Sequence, residues 1–247
     1  MVDARVLPAL VVTLVFMPAA LCANGADPVR PDNVLIVDRD AYPHFNWASF
    51  DQEKVVSHGH FQYSSYWDAD KALVVVRRDR RTDETQTVRL PDYRLSARDG
   101  HRNTVVGISP GDGRLHLSWD HHNNPLHYTK SRAGLVTEPP DRMSPDDFEP
   151  EQQLTPDAPG SVTYPRFVND HDGHLFFIYR SGHSGNGRNI LARYNSTSGQ
   201  WEMIGNPVFE PGGHRPWRRS TILTTGSGGK TLIETSATDP GDADVSR

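Results

Sequence analysis

One motif occurs twice in this chain, and its repetition limits the possible folds more than any other feature. Asp112-Gly113-Arg114-Leu115-His116-Leu117-Ser118-Trp119 aligns with Asp172-Gly173-His174-Leu175-Phe176-Phe177-Ile178-Tyr179 at an offset of 60 residues. An Asp-Gly step followed by alternating apolar residues marks a hairpin turn entering a half-buried strand. Each copy follows a strand-like run (Val105–Ser109 and Pro165–Val168) and precedes a third run ending in an aromatic (Leu126–Tyr128 and Leu191–Tyr194). A weaker copy, Asp70-Lys71-Ala72-Leu73-Val74-Val75, precedes the first by 42 residues and is flanked by Phe61–Tyr66 and Thr87–Leu90. Units of about 40–50 residues with several short strands each are the period of a β-propeller. The longer step contains a Pro-, Asp- and Glu-rich insert from about Gly134 to Pro159, expected to be a surface loop. No long stretch has apolar residues at helical spacing, and 20 Gly with 19 Pro suit many turns and short strands. The expected fold class is therefore all-β, an incomplete β-propeller of about four blades, counting a partial one near Val34–Val37. A β-sandwich with accidental internal similarity is the alternative.

A formal net charge of −5 excludes a generally basic nucleic-acid binder. At the N-terminus, Arg5 precedes an apolar run from Leu7 to Leu21 and then the small residues around Ala23. That order reads as a signal peptide over 1–23; the run is short for a membrane anchor and is interrupted by Pro18. Cys22 sits in a poor lipobox, and cleavage near Ala23 removes the one cysteine of the chain, excluding disulfide and thiolate chemistry. The mature chain is then expected to be secreted or periplasmic, with no membrane contact. Propeller blades are expected over 24–210, and an atypical, poorly ordered or truncated tail over 211–247.

Three polar clusters accompany the strands: Asp99-Gly100-His101-Arg102-Asn103; Trp119-Asp120-His121-His122-Asn123-Asn124-Pro125-Leu126-His127-Tyr128; and Thr163-Tyr164-Pro165-Arg166 with Tyr179-Arg180-Ser181-Gly182-His183-Ser184-Gly185-Asn186-Gly187. In a propeller, equivalent blade ends gather at one mouth, so distant residues can share a cleft. Gly182–Gly187 is no phosphate loop, because it lacks the Gly-Lys-Ser/Thr ending. His121, His122 and His127 in mixed spacing make a weak zinc pattern. Arg77-Arg78-Asp79-Arg80-Arg81 reads as a solvated hairpin end.

Taken in order from Asp99 to Gly205, these motifs resemble the BNR-repeat family, which includes the seven-bladed propeller ulvan lyases. The resemblance implies part of a larger, seven-bladed ring and a polysaccharide lyase that cleaves a uronate-containing acidic polysaccharide by β-elimination. It implies that His101 and His122 form a histidine pair, one the base and one steadying the uronate carboxylate. Tyr164 would protonate the leaving oxygen or share in proton abstraction, and Arg180 would pair with the carboxylate. His121, Asn123, Arg166 and His183 would contact substrate, and His121 can exchange places with His122 in the alignment. No cofactor is implied with certainty. Some members hold a metal with His and Cys ligands in later blades that have no counterpart in this sequence. Two other classes stay open: a sialidase-like glycoside hydrolase, since Ser109-Pro110-Gly111-Asp112-Gly113 followed by Trp119 is similar to a degenerate Asp-box, and a non-catalytic glycan-binding propeller or inactive fragment.

Overall fold

Asp-Gly turns and β-branched runs translate into antiparallel hairpins, each the start of one sheet. The computed structural model describes residues 34–43, 46, 54–154 and 160–204, together with the backbone of 222–225 and 231–234. Four strands form the first sheet in sequential order: β1 (Val56–His58), β2 (Phe61–Trp67), β3 (Ala72–Asp79) and β4 (Thr85–Arg94). The second sheet runs β5 (Thr104–Ser109), β6 (Arg114–Trp119), β8 (Tyr128–Lys130), while β7 (His122–Asn124) leaves it for the third. The third sheet has the order β12 (Gln200–Met203), β11 (Arg188–Asn195), β10 (Leu175–Ser181), β9 (Val162–Asn169), β7. A separate hairpin joins β13 (Ile222–Thr225) to β14 (Thr231–Glu234). All described pairings are antiparallel, and the fold is an incomplete β-propeller whose blades are these successive sheets.

The turns show why the repeat is readable. Gly113 and Gly173 take φ values of +67° and +82°, which L-residues with a side chain seldom adopt. In the weaker copy Lys71 stands at the matching place and still adopts +65°. Asp170 stabilises its turn by accepting the amides of Asp172 (3.0 Å) and His174 (2.8 Å) on one carboxylate oxygen.

The middle sheet is buried on both faces. Alternate residues of β5 feed opposite interfaces: Val106 and Ile108 pack with Tyr63, Trp67, Leu73 and Val75 of the first sheet, whereas Val105 packs with Phe167, Phe177 and Trp201 of the third. Every residue of β5 is buried. Each large side chain so enclosed contributes about 1.5–3 kcal/mol relative to exposure. On the second face His116, fully buried, accepts or donates at 2.7 Å to the Tyr128 hydroxyl, which also receives the Trp201 indole N–H at 3.0 Å.

Three expectations need correction. The insert beginning near Gly134 is not merely a surface loop: Leu135, Val136 and Met143 are buried in the first interface. Arg77 is not solvated either, because its guanidinium is buried and donates to the carbonyls of Pro140 (2.8 Å) and Asp141 (2.9 Å) of that insert. Val34–Val37 forms no strand, and these four side chains are exposed. The expected signal peptide over 1–23 lies outside the described residues, as does the tail over 211–247 apart from the β13–β14 backbone. Among the described residues, no helix is long and apolar enough to cross a membrane.

Candidate active site

His101 precedes β5, His122 follows β6, Tyr164 lies near the start of β9 and Arg180 near the end of β10. The registers Thr104↔Trp119 and Thr163↔Arg180 put all four at the sheet ends opposite the Asp-Gly turns. Two irregularities in the ladder then turn side chains toward each other. Between β7 and β9 the register shifts at Asn123, and between β9 and β10 it shifts around Tyr164-Pro165. Asn123 and Tyr164 both have φ of +57°. Asn tolerates that conformation through local hydrogen bonding, but for a bulky Tyr it is strained, and such strain concentrates at functional sites. A bulge breaks the in-out alternation, which re-aims the Tyr164 ring.

The result is a contiguous constellation. The His101 and His122 rings stack with centroids 4.1 Å apart and 24° between planes. Tyr164 sits 5.4 Å from the His101 ring, and the Arg180 guanidinium lies over the Tyr164 ring at 5.0 Å. Both imidazoles are reachable, with side chains 30% and 34% exposed. Arg180 Nη2 donates to Asn123 Oδ1 at 2.9 Å, and the Thr163 hydroxyl donates to the same oxygen at 3.1 Å. Thr163 Oγ1 in turn accepts the Asn123 amide at 2.9 Å. Asn123, expected to contact substrate, therefore also holds Arg180 in place.

The remaining expected contacts differ in exposure. His121 is wholly buried and offers no surface to a ligand, unlike its neighbour His122. Its Nε2 lies 3.0 Å from Ser118 Oγ and accepts the His127 amide at 3.3 Å. Burial, with the nearby His127 imidazole, pushes its pKa down to about 3, so it stays neutral. Asp120 has φ of +61°, so the chain turns after β6 and sends successive histidines to opposite sides. Arg166 is half-buried on β9 opposite Ile178, and His183 is exposed in the β10–β11 loop. The His183 carbonyl and the Arg180 side chain both border Gly187.

One residue that sequence reasoning did not single out lies at the centre. Asp99 Oδ1 is 2.7 Å from His101 Nδ1 and accepts the His101 amide at 3.0 Å, while Oδ2 bonds His122 Nδ1. Its place two residues before His101 was the available signal. Burial works to raise the Asp99 pKa, but the His101 amide and the two imidazoles outweigh it and hold the carboxyl well below the usual range.

Among the described residues, two groups bring three possible metal ligands together: Asp99, His101 and His122, and Asp170, Asp172 and His174. Cys22, the one cysteine of the chain, lies outside the described residues. A cavity lined by Ser109, Pro110, Gly111, Asp172, Gly173 and His174 opens at the opposite, turn end of the sheets and includes none of the four side chains.

Residues 61–221 match the family described as "BNR repeat-containing family member". Among solved structures, the fold is similar to that of the polysaccharide lyase Uly1, with TM-score 0.56 and 19% identity, covering 70% of this chain and 45% of that one. It is also similar to a PL25 ulvan lyase bound to -[GlcA(1-4)Rha3S]-, with TM-score 0.51 and 14% identity, covering 68% of this chain and 40% of that one. A second structure of a PL25 ulvan lyase gives TM-score 0.50 at 14% identity over 67% of this chain and 39% of its own. The chain thus spans less than half the length of these lyases. A comparison with curated proteins finds no match.

Proposed function

The chain belongs to the BNR repeat-containing family, and from that premise we propose that it is a secreted or periplasmic polysaccharide lyase acting on a uronate-containing, ulvan-like acidic polysaccharide. The observation that carries the reading is the contact chain His122–His101–Tyr164–Arg180 at the open sheet ends.

The chemistry needs these groups. The proton on the uronate carbon beside the carboxylate is weakly acidic, and its removal places charge on that carboxylate. Arg180 offers a planar, two-pronged cation for the carboxylate, and it is already oriented by Asn123 and the Tyr164 ring. One imidazole takes the proton on Nε2, while Arg180 holds the carboxylate on which the charge develops. Electrons from the broken C–H bond form a double bond in the ring as the glycosidic C–O bond breaks. Tyr164 gives its proton to the departing oxygen. Atoms balance with no water consumed, so the product keeps an unsaturated uronate end.

Incubating the purified chain with ulvan and related uronate polymers tests this. The expected result is a rise in ultraviolet absorbance from the new double bond, lost in His101→Gln, His122→Gln and Tyr164→Phe variants. Saturated products would instead mark a hydrolase. Binding without turnover that survives both histidine substitutions would mark a glycan-binding propeller, and either result overturns the lyase reading.

A further inference from the structure

We propose that Asp99 is the positioning residue of this site, a single carboxylate that fixes both His101 and His122 as Nδ1–H tautomers with their lone pairs on Nε2. The kinetic part of this inference rests on the lyase reading, whereas the tautomers can be observed without any turnover.

Donor and acceptor capacity dictates the tautomers. An ionised carboxylate only accepts hydrogen bonds. Asp99 Oδ1 receives the His101 amide at 3.0 Å and faces His101 Nδ1 at 2.7 Å; Oδ2 faces His122 Nδ1. Both imidazole Nδ1 atoms must then be the donors, and a neutral imidazole has only one N–H. Each ring is left with its basic lone pair on Nε2, the nitrogen pointing away from Asp99. The depressed Asp99 pKa keeps the carboxylate ionised, and therefore accepting, at neutral pH.

The geometry also makes one carboxylate act on two strands. Asp99 and His101 belong to the loop that enters β5, and His122 to the segment that leaves β6 for the next sheet. Bonding both rings holds the stack at 4.1 Å and so sets where two Nε2 atoms lie relative to Tyr164. Arg102 completes the surroundings: its Nε is 3.9 Å from Asp99 Oδ2, while its Nη1 donates to Ser96 Oγ (2.9 Å) and to the Asp120 carbonyl (3.0 Å). Arg102 thereby anchors the loop and does not displace the imidazoles from the carboxylate. The same three residues could instead bind a cation, which would need the Nδ1 lone pairs and would move both protons to Nε2. The two arrangements are mutually exclusive and give opposite tautomers.

Long-range nitrogen–proton NMR spectra of the histidine side chains in the full chain decide between them, assigned with His101→Gln and His122→Gln. The expected wild-type result is protonation at Nδ1 of both rings, unchanged by a chelator. Asp99→Asn has one accepting oxygen and one donating nitrogen, so it should switch one ring to the Nε2–H tautomer. With an active protein, kcat should then fall by roughly 10²–10⁴-fold with KM nearly unchanged; the upper figure matches the loss from the equivalent Asp-to-Asn change in a serine protease triad. Asp99→Glu, which keeps two accepting oxygens, should recover part of the loss. Nε2-protonated rings in the wild type, or an Asp99→Asn protein with unaltered tautomers and kcat, would overturn the proposal. If Asp99→Asn does not fold, the wild-type spectrum alone decides. A folded wild type with the expected tautomers and no turnover would sink the lyase reading and leave the Asp99 assignment standing.

Discussion

Gly107→Ala tests how tightly the sheets are held against each other and whether that spacing serves the site. Gly107 lies in β5 without a positive φ, so alanine suits its backbone, and such a change ordinarily stabilises by about 0.4–1 kcal/mol. Here an added Cβ would sit 2.4 Å from the Phe167 Cβ and 2.6 Å from its Cγ, whereas ordinary contact begins at 3.4 Å. The Cβ cannot swing away, since it is bonded directly to the β9 backbone. The two strands must part by about 1 Å, and gaps of that size forfeit a quarter to a half of each contact they open. Overpacking of this kind costs about 1–3 kcal/mol, so the sign reverses. For a domain of this size a loss of about 2 kcal/mol lowers Tm by about 4–8 °C. Phe167 lies three positions after Tyr164 on β9, and β5 follows His101, so the displacement also widens the 5.4 Å His101–Tyr164 contact. Calorimetry and the absorbance assay should show both losses together. The penalty should persist in a Phe167→Ala background, which keeps the Cβ, and vanish in Phe167→Gly. An unchanged or raised Tm in Gly107→Ala would refute the reasoning.

Other substitutions probe separate links. Arg180→Lys removes the planar group from the Tyr164 ring and one of the bonds to Asn123; KM for a uronate polymer should rise about tenfold or more, read from initial rates. His121 binds its proton less readily folded than unfolded, so the unfolded chain takes up the extra proton as pH falls below about 6.5 and its contribution to stability declines down to about 3. His121→Gln should be less stable than wild type at about pH 7.5, and the gap should narrow by about 2 kcal/mol at about pH 5 in denaturant titrations. A constant gap would contradict a neutral, buried imidazole. Arg77→Leu removes the Arg77 donor from the Pro140 carbonyl and leaves the Asp141 carbonyl to Gln86 alone; it should cost about 1.5–3 kcal/mol, with faster proteolysis near Pro140 as the readout.

Parts of this protein were legible in its residues because they are local. Asp-Gly steps demand positive φ at Gly113 and Gly173, and the alternation after them demands strands, so the hairpins β5–β6 and β9–β10 follow from short stretches. The motif order pointed to His101, His122, Tyr164 and Arg180, which the fold brings into contact. Other features depend on atoms distant in the chain. Arg77 looked solvated because the carbonyls it binds are more than sixty residues away. The insert looked like a surface loop because the interface that buries Leu135 and Met143 is made by other strands.

The distinction between His121 and His122 is the clearest case. Two adjacent identical residues differ in fate only because Asp120 and Asn123 take left-handed conformations, and that bend is stabilised by Thr163 and Arg180 from the next sheet. Asp99 is similar: its sequence neighbour His101 was visible, but its second partner lies 23 positions onward across a hairpin. Sequence alone determined the hairpins that follow the Asp-Gly steps and the chemical types available. Tertiary packing decided which side chains are buried, because burial and hydrogen-bond partnership are properties of the space between strands and not of any single one.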